Sequence, residues 1–474
     1  MKNPPKNLPS AVVITPVFKN QKNSPSLPHA TEAGETIFAV IEGQPTIFVG
    51  LGEEKEITLL GVATTFATAI RLAEDKKYIN VVANIPAQLF KIADGKKVGE
   101  TMSRLADIAI YRFHDYHTNK DRHTNPIVDL LWQGIPVPQQ KDFAIGMSTG
   151  SAIARATNFA RDLGNHPPSY MNPEQLAREV EELGKHIPKL AVTVLRKKEI
   201  EKEKMGGLLG VSSGSAQPPT FIIMEYAGGK KGAAPIALMG KGVTFDAGGI
   251  SIKPSSKMDE MKFDMMGGAT VVGAVLAAAK LQLPINVVGL IPATENLPSG
   301  TAMRPGDILH MHSGKTVEVL DTDAEGRLIL ADALSYARRF KPAAAIDLAT
   351  LTGACVVALG ESYAGLWSTD EKLTRRISAA SEQVGEKVWP MPLGEDFSCQ
   401  IKSEVADIKN LTDRWGSANT AAAFLQEFAP TKNWAHLDIA GVAYSDRLKP
   451  VRTKGATGWG VALLVDMLRG FKVQ

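Results

Sequence analysis

From about residue 36, short apolar runs alternate with amphipathic stretches: TIFAVIEG, PTIFVGLG, a helical pattern over 57–73, YINVVANI, a second helical pattern over 99–111, and IVDLLWQG. Runs rich in β-branched and aromatic residues read as strands and a 3.6-residue apolar period reads as helix, so this alternation predicts α/β layering. A further helix over about 144–163 ends at Asn165-His166-Pro167-Pro168, where consecutive prolines stop helix propagation. These signals place a smaller α/β domain at 1–140, a linker helix at 141–165 and a larger domain at 166–474.

In the larger domain, Asn172 and Pro173 form an N-cap and first-turn pair that opens a helix, followed by the strand AVTVLR. Buried strands are expected at 221–226, 236–240, 285–291, 316–321, 343–351 and 434–441, with helices over 267–281 and 326–339 between several of them. This order predicts an α/β fold in two domains, with a mixed, largely parallel central sheet flanked by helices in the C-terminal one. Ligands in such sheets collect at the carboxyl ends of the strands.

Composition narrows the class. Of 474 residues, 44% are hydrophobic and 22% charged, the range of an ordinary folded protein with a large core. Two cysteines, Cys355 and Cys399, exclude a disulfide framework and fit a reducing, cytoplasmic compartment. The first residues hold no apolar core before a cleavage site, and no uninterrupted apolar run is long enough to span a bilayer, so neither export nor a membrane anchor is expected. Net charge is +3, and residues 1–150 carry 16 Lys/Arg against 15 Asp/Glu, without the basic excess of a dedicated nucleic-acid binder. Lys2, Lys6, Lys19 and Lys22 lie in a Pro-rich stretch before Glu32, read as a solvated, poorly ordered arm. The charged run Lys197–Lys204 reads as an exposed helical face.

Three segments carry candidate chemistry. GKGVTFDAGGISIKP, 240–254, places Lys241, Asp246 and Lys253 in a glycine-rich stretch after a strand; it lacks the spacing of a phosphate loop, and an acid between two lysines suits a cation, or only a turn. MDEMKFDMMGG, 258–268, puts Asp264 before an apolar helix, where it can act as a helix cap or as a ligand. LDTDAEGRLIL, 320–330, crowds Asp321, Asp323 and Glu325 after a strand, with Arg327 two residues on. Crowded carboxylates stay ionised only if solvated or neutralised by a cation, and alternation in an extended segment would point Asp323 and Glu325 the same way. Asp246, Asp264, Asp323 and Glu325 together offer enough oxygen donors for two metal ions. No HExxH pattern occurs. The pair His114 and His117 lacks an acidic framework, His310 and His312 read as strand or loop positions, and Cys355 reads as a buried small hydrophobe.

GKGVTFDAGGISIKP, MKFDMMGG, DTDAEGRLIL, LATLTGA and WAHLDIAG, in this order, closely resemble the catalytic domain of the leucyl (cytosol) aminopeptidase family over roughly 150–470. The resemblance implies a metal-dependent exopeptidase that cleaves the N-terminal bond of peptides bearing a free α-amine, through a metal-bridged hydroxide. It implies one metal on Asp246, Asp323 and Glu325 with the main-chain carbonyl of Asp323, and a tighter one on Lys241, Asp246, Asp264 and Glu325. Lys253 would stabilise the oxyanion, and Arg327 would hold a bicarbonate that acts as general base. Met261, Thr350, Leu351, Gly353 and Ala440 look like the lining of the first side-chain pocket, favouring Leu or Met. A lysine ligand must be neutral, which neighbouring dications make feasible. Carboxylate donors suit Mn²⁺ while affinity order favours Zn²⁺, so both remain open.

The resemblance further implies a cytoplasmic homohexamer acting in peptide turnover. Some family members also bind DNA, a second function that the balanced charge over 1–150 argues against. The chain departs from the family's pattern at Asp321, where most members have Asn, at Ala247, where Ser is common, and at Trp415 in the loop 413–424. None of the implied metal ligands is lost.

Overall fold

The computed structural model describes residues 11–19, 32–118, 127, 129–449, 451 and 453–471. The stretch containing Lys2, Lys6 and Lys22 lies outside these residues; Lys19 is described and pairs with Glu32 at 2.6 Å. The chain divides into two compact units, residues 1–155 with 447–454, and residues 156–446 with 455–474.

The first unit is built on a five-stranded sheet of β1 (Val12–Val17), β2 (Thr36–Ile41), β3 (Gln44–Gly50), β4 (Asn80–Asn84) and β5 (Asp129–Gln133), in the order β2-β3-β1-β4-β5. Val12–Val17, expected within a solvated arm, is instead the central strand. Its alternate residues Val12 and Ile14 are fully buried, and Pro16 is tolerated because it lies beyond Ile14, the last residue paired with β4. The β2–β3 hairpin closes through Glu42 and Gly43, both at positive φ, the two-residue turn whose twist matches antiparallel strands. Helices α1 (Leu59–Asp75) and α2 (Gly95–Ala109) are capped by Thr58 and Asp94, whose side chains accept from the Gly61 and Lys97 N–H groups. Helix α3 (Gln140–Asn165) follows β5.

The second unit opens with α4 (Pro173–Lys185), where the Asn172 side chain accepts from the Gln175 N–H as an N-cap. Its main sheet comprises β6 (Leu190–Leu195), β7 (Thr220–Ala227), β8 (Ile236–Gly240), β9 (Gly242–Asp246), β10 (Asn286–Asn296), β13 (Ala344–Ala349), β14 (Ala364–Ser368), β15 (Val388–Pro390) and β17 (Trp434–Asp438). The order is β15-β14-β17-β13-β8-β10-β7-β6, with β9 beside β10. The central β17, β13, β8 and β10 run parallel, and antiparallel neighbours join at β14 and β7. A small second sheet joins β11 (Ile308–His310), β12 (Thr316–Glu318) and β16 (Ile408–Lys409).

Strand alternation assigns the two faces of the central sheet. Ala237, Met239, Val288 and Leu290 join the core that holds Ile329, Leu330 and Ala333 of helix α6 (Glu325–Ala337). The intervening Gly240 and Gly289 face helix α5 (Met266–Lys280), close to Gly267, Val271 and Val275. Residues Met266–Ala279 are buried all round, as expected for a helix clamped between layers. Charged residues Asp259, Glu260, Lys262 and Asp264 interrupt the stretch Met258–Lys280, whose length and composition alone would allow a membrane crossing, and it is largely buried within this unit as a core helix. Burying each large side chain such as Phe221 or Trp434 contributes roughly 2–3 kcal/mol, which holds the strand ends in fixed register.

Candidate metal centre

Three strand ends and two helix starts converge on one spot. Lys241 occupies the single-residue break between β8 and β9; its N–H donates to Leu348 O and its carbonyl accepts from Gly268 N–H, so its side chain springs from a backbone pinned on both sides. Asp246 is the last residue of β9. Asp264 sits between a short 3-10 turn (Met258–Phe263) and α5; its side chain does not cap that helix but accepts at Oδ1 from the Thr350 hydroxyl at 2.7 Å. Asp323 lies in a tight turn and Glu325 is the first residue of α6. The expected extended alternation from Asp323 to Glu325 is thus replaced by a turn running into a helix, which brings the two carboxylates together by a different route.

Asp246, Asp323 and Glu325 each offer an oxygen within 4.8 Å of the others. Lys241 Nζ lies 2.6 Å from Asp264 Oδ2, 2.6 Å from Glu325 Oε1 and 3.1 Å from Thr350 O. Lys253 Nζ lies 2.8 Å from Asp246 Oδ2 and also contacts Asp323 Oδ1. The loop that returns Lys253 to Asp246 turns at Gly248 and Gly249, both at positive φ, and a Cβ at Gly248 would stand 2.4 Å from Ser251 O. On α6, a Cβ at Gly326 would meet Lys241 Nζ at 2.9 Å, so glycine leaves the room that the lysine occupies.

The electrostatics are those of a site that favours cations. Burial, then the neighbouring charges of Asp246 and Glu325, push the Asp323 carboxyl up to about 7. Burial likewise lifts Asp264 well above the usual carboxylate range and raises Glu325, with Lys241 opposing in both. Burial disfavours the charged forms of Lys241 and Lys253, yet the surrounding carboxylates outweigh it and hold both ammonium groups above their ordinary range. Four carboxylates thus face two ammonium groups. Asp264 Oδ2 and Glu325 Oε1 meet Lys241 Nζ and Asp323 Oδ1 meets Lys253 Nζ, so these three buried oxygens are faced by ammonium groups alone among the described residues. Four carboxylates against two ammonium groups leave an excess of converging hard oxygen donors, which fits divalent metal ions.

Arg327, in the first turn of α6, is buried; burial lowers it to about 10 against the pull of Glu325, Asp438 and Asp321. One of its Nη groups donates to Asn410 O at 2.7 Å, and its Nε has no hydrogen-bond partner among the described residues. A cavity of about 390 Å³ opens beside the carboxylates, lined by Met261, Thr350, Leu351, Gly353 and Ala440, and also by Met258, Phe263 and Val356. Lys241, Asp246, Lys253, Asp264 and Asp323 share its wall.

Other sequence candidates fall elsewhere. His114 and His117 pack as an edge-on ring pair in the first unit, and the His117 N–H donates to His114 O at 2.8 Å. His310 is exposed on β11, and His312 contacts Glu203 O at 2.7 Å. Cys355 is buried, and burial raises its thiol far from reactivity. Trp415 is exposed with the Arg414 guanidinium over its ring. Several supporting residues escaped the sequence reading. Asn296 donates from Nδ2 to Asp246 Oδ1 and Thr322 O, and Asp438 accepts from Leu351 N–H, Ala440 N–H and the Thr352 hydroxyl. A polar residue ending a buried apolar strand is the one signal that could have found them.

The model of the Cytosol aminopeptidase family, catalytic domain, matches residues 158–465. A probable cytosol aminopeptidase of Chlorobium luteolum is 45% identical over 439 residues, covering 89% of this chain and 86% of that one. A probable cytosol aminopeptidase of Syntrophotalea carbinolica is 48% identical over 364 residues, 76% of this chain and 73% of that one. Among solved structures, the bottromycin maturation enzyme BotP in complex with Mn superposes with a TM-score of 0.86 at 31% identity, covering 97% of this chain and 99% of that one.

Proposed function

Because this chain belongs to the cytosol aminopeptidase family and is a metal-dependent aminopeptidase, we propose that it hydrolyses the N-terminal bond of peptides with a free α-amine, preferring Leu- and Met-like residues. The observation that carries this reading is the convergence of Asp246, Asp323 and Glu325 within 4.8 Å beside a largely apolar cavity. One ion would rest on Asp246, Asp323 and Glu325 with the Asp323 carbonyl, and a second on Lys241, Asp246, Asp264 and Glu325. When bound, paired divalent ions supply Lewis acidity and an activated water at neutral pH. The two ammonium groups already lie where positive charge is demanded, so loading has to release the Lys241 Nζ proton before that nitrogen can donate a lone pair.

In this reading Lys253 keeps its proton and offers it to the oxyanion that develops on the scissile carbonyl. Arg327, whose Nε has no hydrogen-bond partner among the described residues, would hold bicarbonate, and the bound anion would supply a general base. Met261, Thr350, Leu351, Gly353 and Ala440 would receive the first side chain. Zn²⁺ or Mn²⁺ as resident ions, a homohexameric assembly and a cytoplasmic role in peptide turnover complete the proposal; BotP with Mn makes Mn²⁺ the first ion to try. The division of labour assigns peptide hydrolysis to 166–474 and leaves 1–140 an accessory domain.

The test compares p-nitroanilides of leucine, methionine, alanine and N-acetyl-leucine on Mn²⁺-loaded protein. Leucine and methionine are expected to exceed alanine in kcat/KM by at least about tenfold, with no release from the acetylated compound. Equal rates across side chains would remove the pocket assignment, and cleavage of the acetylated substrate would remove the requirement for a terminal amine.

A further inference from the structure

Resting on the metal-dependent reading above, we infer that Asn410 is a positioning residue that fixes the turn 321–325 and thereby sets the affinity of the centre for its ions. Strand β16 runs parallel to β12 with Val317 opposite Ile408 and Glu318 opposite Lys409. The Asn410 N–H extends this ladder by donating to Glu318 O at 2.9 Å, which lays the Asn410 side chain along the segment leaving β12. There its Oδ1 accepts from Leu320 N–H at 2.8 Å and Asp321 N–H at 3.4 Å, while Nδ2 donates to Asp321 O at 2.7 Å and Ala324 O at 3.4 Å.

A single amide therefore holds the start and the end of the turn that carries Asp323 and delivers Glu325. Its carbonyl oxygen and both amide hydrogens are engaged, the full capacity of an asparagine side chain. The residue is 1% exposed, so water cannot replace these bonds. Its main-chain carbonyl also accepts from Arg327 at 2.7 Å, so one residue braces the carboxylates and the guanidinium together. No other side chain has bonds to both ends of this turn among the described residues. Asn410 touches no ligand atom itself; it acts by denying the turn other conformations.

The experiment is calorimetric titration of Mn²⁺ into chelator-stripped full-length protein, alongside thermal unfolding of the same metal-free samples. Wild type is compared with Asn410→Ala, Asn410→Asp and Ile408→Ala. Asn410→Asp keeps the shape and the acceptor but loses both donated bonds, so it carries the test if the alanine variant does not fold. Both Asn410 variants are expected to bind Mn²⁺ about 10- to 100-fold more weakly. Ile408→Ala removes apolar packing from the same strand, and is expected to lower the unfolding temperature while leaving Mn²⁺ affinity as in wild type. Wild-type affinity in the Asn410 variants, or an equal loss in Ile408→Ala, overturns the inference. Absence of both Mn²⁺ and Zn²⁺ binding by wild type would instead overturn the two-ion reading on which it rests.

Discussion

The two units of this chain use the same architecture to different ends. Each is a layered α/β body with a mostly parallel sheet, and each presents strand carboxyl ends where a ligand could collect. In the first unit the four parallel strands end at Val17-Phe18, Gly50-Leu51, Asn84-Ile85 and Gln133-Gly134, with no acid among them. In the second they are Asp246, Asn296, Ala349-Thr350 and Asp438, joined by the turn at Asp323 and the start of α6 at Glu325. The fold supplies a place, and only the second unit spends it on carboxylates, which is why layering alone says nothing about chemistry.

The contrast is broken most severely by removing a converging carboxylate. Asp323→Ala is expected to lower kcat/KM by about 10³-fold or more, since Lewis-acid assistance is worth several kcal/mol, checked with leucine p-nitroanilide at saturating Mn²⁺. Next comes Lys253→Met, which keeps the stem and deletes the ammonium. The expected loss is about 10²- to 10³-fold, mostly in kcat, as for a lost oxyanion donor, with Mn²⁺ binding retained in a titration.

A smaller effect separates a buried acid of the second unit that is not at a strand end. Asp332 accepts backbone N–H bonds from Leu208 and His312, and burial pushes its carboxyl up to about 7 despite them. A carboxyl raised in the folded state binds its proton more tightly there than in the unfolded chain. Its contribution is therefore fully present below the ordinary carboxylate range and is lost as pH rises through about 7. Asp332→Asn removes this titration, so the gap in unfolding temperature between wild type and variant is expected to shrink by about 2–4 °C between pH 4 and pH 8, read by differential scanning calorimetry. The smallest effect is expected in the first unit: Asn84→Ala at the end of β4 should change kcat/KM by less than about twofold, consistent with a surface substitution away from any site. A larger loss there would break the comparison itself.

Much of the second unit was legible because its signals are local. Apolar runs at 236–240, 343–351 and 434–441 became β8, β13 and β17, and the crowding of Asp321, Asp323 and Glu325 marked a charge problem that a cation would solve. What stayed hidden depends on tertiary placement. Val12–Val17 looked like part of an arm because prolines and lysines surround it, and only pairing with two neighbours makes it a central strand. The turn at Asp323 could not be told from an extended segment: Asp321 closes it locally by accepting from Asp323 N–H, but the side chain that braces both its ends is Asn410, 87 positions beyond Asp323. Asn296 and Asp438 carried only the mark of a polar residue ending a buried strand, because most of their partners lie far along the chain, on neighbouring strand ends.

The most direct test of the account is hydrolysis of leucine p-nitroanilide by chelator-stripped protein, before and after addition of Mn²⁺ or Zn²⁺, with Asp323→Ala treated in parallel. The account predicts no release from the stripped protein, recovery on adding metal to wild type, and no recovery in the variant. Full activity in the stripped protein, or metal-restored activity in Asp323→Ala equal to wild type, would contradict it.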